Sequence, residues 1–113
     1  MSKQQMFRPR QPRYMTRGIA EELPFLYQIL LWDTIDKLRD SGQRMDYLQI
    51  FKITTTENPD REGKLLSITH SQERPRYLKQ YELPISKDSE SVNGKIYVID
   101  DGEYATMLWA DEY

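Results

Sequence analysis

The arrangement of apolar and polar positions divides this chain into two regimes. In EELPFLYQILLWDTIDKLRDSG, from Glu21 to Gly42, apolar residues recur at three- and four-residue intervals, the period of an amphipathic helix. Glu21 and Glu22 fall where the positive end of a helix dipole favours acids, and Pro24 suits a first turn. Gly42 stands where a left-handed cap ends a helix. At about 100° per residue, Leu23, Tyr27, Leu30, Leu31, Thr34 and Leu38 share one stripe, which the pattern assigns to the core. Phe25, Ile29 and Trp32 fall on nearly the opposite side, so the helix carries a second apolar face. That face predicts an interaction surface anchored on Trp32, or else a contact with the chain's own RYMTRGI or MLWADEY segments.

After Gly42 the period shortens to two. MDYLQIFKITT, KLLSITHSQ and YLKQYELPI read as strands, the first two separated by the turn-forming ENPDREG. In the second of them Leu66, Ile68, His70 and Gln72 alternate onto one face. SKDSESVNG is a polar loop, and KIYVIDDGEYATMLW predicts a C-terminal β-hairpin over residues 95–109. Asp101-Gly102 closes it as a two-residue type I′ turn, where positive φ is required. RYMTRGIA adds a short strand before Gly18. Residues 1–12 contain two prolines and no periodicity, which predicts a flexible basic arm. Residues 13–113 then form a single α+β domain: one long helix packed on a mostly antiparallel sheet of four to six strands.

Composition narrows the classes of function. A chain of 113 residues with 38% hydrophobic residues supports one modest core. The absence of cysteine excludes disulfides, thiolate metal sites and cysteine nucleophiles, and fits a reducing cytoplasm. No apolar run reaches the roughly 18–20 residues of a membrane span. The net charge of −2 hides an asymmetry: Lys3, Arg8, Arg10, Arg13 and Arg17 crowd the start, whereas Asp100, Asp101, Glu103, Asp111 and Glu112 crowd the end. A basic arm of this kind can bind nucleic-acid phosphates, or it can lie against the acidic end of its own chain.

Candidate chemistry is sparse. One histidine without cysteine leaves only oxygen ligands, and no stretch matches a calcium loop, a phosphate loop or a nucleophile elbow. No catalytic residue, metal ligand or cofactor is therefore expected. His70 continues the face of Leu66 and Ile68, which places its ring near the edge of the core with strand-end carbonyls or Glu73 as partners. His70, Gln72 and Glu73 form the candidate polar contact.

RYMTRGIAEELP, LLWDTID, DYLQIF, ITHSQERP and VIDDGEYATMLWADEY together resemble domain-of-unknown-function family 960. The resemblance implies a small Gram-positive bacterial protein, with relatives in phages and mobile elements, and it brings no catalytic residues. The reading that results is a small non-catalytic protein-binding or regulatory protein, acting through a protein partner or self-association. A nucleic-acid-associated protein using the basic arm is the alternative, and an enzyme of unrecognised type the third.

Overall fold

Pro24 divides the expected helix in two. The computed structural model describes residues 5–113, with helix α1 at Arg17–Glu22 and helix α2 at Phe25–Asp40. Proline lacks the N–H that would continue a helix, and it pushes the preceding residue out of the α region. Leu23 accordingly sits at φ −105°, ψ 117°. The single long helix of the sequence reading is thus corrected: Glu21 and Glu22 end α1 rather than begin α2, and the Thr16 hydroxyl caps α1 by accepting from Ile19 N. The buried Gln28 side chain donates to Leu23 O at 2.8 Å, satisfying a carbonyl that the break leaves free. Gly42, at φ 89°, ends α2 as expected.

Six strands follow one another across a single sheet. They are β1 (Arg13–Met15), β2 (Leu48–Glu57), β3 (Lys64–Gln72), β4 (Tyr77–Ile85), β5 (Asn93–Asp100) and β6 (Ala105–Trp109), in the spatial order β1-β6-β5-β2-β3-β4. Every pairing is antiparallel except β1 with β6. The inner face contributes Phe51, Ile53, Leu66, Ile68, Ile96, Val98, Ala105 and Met107 to a core completed by Ile19, Leu23, Tyr27, Leu31, Ile35 and Leu38. The α2 stripe is rotated from the expected one. Ile35 is buried, whereas Leu30 and Thr34 are half-buried. On the other face of the sheet, register aligns Leu108, Tyr97, Ile50, Ser71 and Leu78 in one row.

The hairpin of β5 and β6 forms, but its loop is Asp101–Tyr104 rather than the two-residue turn. The Asp101 carboxylate accepts from both Glu103 N and Tyr104 N, and the Asp100 carboxylate accepts from Gly102 N. These Asp side chains supply the turn bonds that a type I′ backbone would not need. Gly102 still takes the positive φ, 105°.

Residues 5–12 are not a free arm, and the sequence reading is corrected here too. Phe7 is fully buried in the core. Its N–H donates to Asp100 Oδ2 at 2.6 Å, and its carbonyl accepts from the buried Arg39 at 2.8 Å. Ala105 N then donates to Pro12 O, which leads the chain into β1 beside β6. A lone phenylalanine among prolines, arginines and glutamines has no periodic neighbours, so this strap leaves no hydrophobic pattern.

Candidate interaction surface

The outer face of α2 is apolar at its N-terminal end. Phe25, Leu26 and Ile29 are 68%, 63% and 47% exposed. Among the described residues, none covers them. Helical spacing puts the three side chains together, because residues three and four apart are neighbours on a helix surface. Trp32, the expected anchor, is placed differently. It is half-buried against the core, and the Arg13 guanidinium lies over its ring at 4.6 Å. Arg13 also binds both carboxylate oxygens of Asp36. The chain's own RYM strand therefore covers Trp32 and leaves Phe25 and Ile29 bare. Leu26 is the member that sequence reasoning missed. Its place beside Phe25 follows once Pro24 fixes where α2 starts.

His70 sits deeper than expected. It is fully buried, stacked on Phe51 at 4.4 Å and edge-on to Tyr77 at 5.6 Å. Its Nε2 lies 2.6 Å from Gln49 Oε1. Gln49 Nε2 donates to Asp46 O and to Gln72 Oε1, which fixes Gln49 Oε1 as an acceptor and His70 Nε2 as the donor. Gln72 Nε2 in turn donates to Arg44 O and Pro75 O, while Gln72 Oε1 also accepts from Asp46 N. The network ties the loop before β2 to the turn after β3. The remaining nitrogen of His70, Nδ1, has no partner among the described residues. Burial pushes the His70 pKa down to about 4, so the ring is neutral near pH 7. Glu73 is exposed and takes no part, which corrects its grouping with His70 and Gln72. The His70 cluster is a structural brace.

The candidate basic surface is dispersed. Lys3 lies outside the described residues. Arg8 donates to the carbonyls of Gly102 and Glu103, Arg13 is held by Asp36 and Trp32, and Arg17 pairs with Glu21. Arg10 is exposed. Arg8 thus lies against the turn between β5 and β6, where it bonds carbonyls rather than carboxylates. Among the described residues no helix is long and apolar enough to cross a membrane.

Comparison with known proteins bears on the fold and the family. A crystal structure of a protein of unknown function from Enterococcus faecalis aligns over 98% of this chain and 98% of its own, with a TM-score of 0.76. At 22% identity that likeness shows a shared fold alone. No curated protein matches. The model of a family described as a staphylococcal protein of unknown function (DUF960) matches residues 12–112, which spans α1, α2 and all six strands. The chain belongs to the DUF960 family.

Proposed function

We propose that this protein is a non-catalytic binding or regulatory factor that engages a protein partner through the N-terminal end of α2. The exposed cluster of Phe25, Leu26 and Ile29 supports this reading. Three large apolar side chains left together in water carry a hydration cost that a partner would relieve. The cluster sits on a rigid helix whose opposite side is locked into the core, so little order is lost on docking. The cytoplasm suits this cysteine-free chain, and an accessory role in phage-borne systems would call for such a surface. The arginines read from the sequence as a nucleic-acid arm are largely committed to Asp36, Glu21 and backbone carbonyls, which weighs against that alternative.

The test is a comparative capture. Parent protein and a Phe25→Ser/Leu26→Ser/Ile29→Ser variant are presented to native-host lysate, with melting curves confirming that both are folded. A partner retained by the parent and lost by the variant is expected. Identical capture profiles would reject the helix face as the binding site.

A further inference from the structure

We propose that β4 is a self-association edge, through which two copies of this chain pair antiparallel about a twofold axis at Tyr81 and continue one sheet into the other. This surface is distinct from Phe25, Leu26 and Ile29, and it does not rest on the reading above.

β4 is the last strand of the sheet and, among the described residues, pairs only with β3. It runs for nine residues, against three for β1 at the other edge. A long edge strand offers a row of free N–H and C=O groups to another chain. Lys79, Glu82 and Pro84 are the residue types that blunt such an edge against indiscriminate pairing. Here they also select a register. A twofold axis normal to the sheet pairs only residues that share a face, so an axis through Tyr81, the midpoint of Tyr77–Ile85, overlaps the strand completely. It sets Tyr77 against Ile85, Lys79 against Leu83 and Gln80 against Glu82 of the second copy. No charged residue meets its own kind.

The space beside the edge fits the same arrangement. A notch of about 210 Å³ lies between α2 and β4, lined by Leu30, Thr34, Ile68, Tyr81, Glu82 and Leu83 together with the Asp33–Lys37 ion pair, 2.9 Å apart. In this register the second copy's Tyr81 and the aliphatic stem of its Lys79 enter the notch, and the Lys79 ammonium joins Lys37 at the Asp33 carboxylate. Backbone bonds along the edge give affinity, and the notch gives specificity, the two components of strand addition.

Sedimentation velocity on the full chain tests the proposal. The parent should sediment as a dimer of twice the 13.5 kDa chain mass. Gln80 and Glu82 are both exposed, so substitution there spares the monomer fold. Gln80→Lys/Glu82→Lys and, separately, Gln80→Glu set like charges opposite one another across the axis, and each should weaken association about tenfold or more. An equal mixture of the two variants should recover the dimer, because every introduced lysine then faces a glutamate. A parent that is monomeric at roughly 100 μM, variants that dimerise as well as the parent, or a mixture that stays monomeric would each overturn the proposal.

Discussion

Phe7→Ala removes the anchor of the N-terminal strap. The Phe7 ring is fully enclosed in the core, so truncation leaves a cavity as well as losing the transfer free energy of a large side chain. Substitutions of this kind cost about 3–5 kcal/mol. The backbone bonds of Phe7 to Asp100 and Arg39 are retained in principle, but Phe7 adopts φ 56°, a left-handed conformation that costs about 1–2 kcal/mol. Without the ring to hold it, the strap has less reason to keep that geometry, which places the expected loss towards the upper end. For a chain of this length, 3–5 kcal/mol corresponds to a fall in Tm of roughly 10–25 °C. Urea unfolding followed by circular dichroism measures the change, with the m-value checking that the folded state remains compact. Limited trypsin digestion adds a local readout, since the bonds after Arg10 and Arg13 should be protected in the parent and cleaved early in the variant. A Phe7→Ala variant with the parent's urea midpoint and the parent's digestion pattern would refute the strap.

His70 makes stability depend on pH in a window that no other histidine shares. The unfolded ring titrates near 6.5 and the folded ring at about 4, so between these values the unfolded state binds the extra proton and stability falls as pH falls. Relative to His70→Gln, the parent should lose about 3 kcal/mol between pH 6.5 and 4, and a pH-independent difference between the two would refute the assignment. Trp32→Ala should cost about 2 kcal/mol, less than a full core truncation because the ring is half-buried, and thermal melts that match the parent would show that Arg13 and the core leave it unsupported. Gly102→Val should lose about 1–3 kcal/mol through backbone strain alone, since nothing lies within 4 Å of a side chain built at this position. An unchanged melt would mean that the hairpin loop can leave the left-handed conformation freely.

Strands β2, β3 and β5 were legible because their burial alternates residue by residue over much of their length. Leu66, Ile68, His70 and Gln72 all face inward, as the period of two requires. Gln49 and Gln72 satisfy each other inside the protein, so the continuation of an apolar face by polar residues marked a buried network rather than an exposed end. The helix was legible in its extent but not in its break. Pro24 is compatible with the first turn of a helix, and only its neighbour's conformation shows that the acids before it belong to another element. Trp32 could not be placed from periodicity, because its cover comes from Arg13, a residue remote in sequence and charged. Leu26, which the core stripe does not include, proved to be part of the exposed cluster for the same reason: a helical wheel ranks faces without knowing which distant segments arrive to cover them. Phe7 is the extreme instance, a core residue inside a segment that otherwise reads as disordered.

The strap also has a consequence for synthesis. Phe7 leaves the ribosome well before Asp100, which holds its N–H and follows 93 residues later. At roughly 5–20 residues per second, that is an interval of about 5–20 seconds. Throughout it, the phenylalanine has no finished core to enter, because β6, its neighbouring strand β5 and the turn between them have not yet emerged. The central meander of β2, β3 and β4 can assemble while translation continues, but closure of the domain waits for β5 and β6. The strap is thus synthesised long before the strand end that anchors it, and it stays unanchored until that end is made.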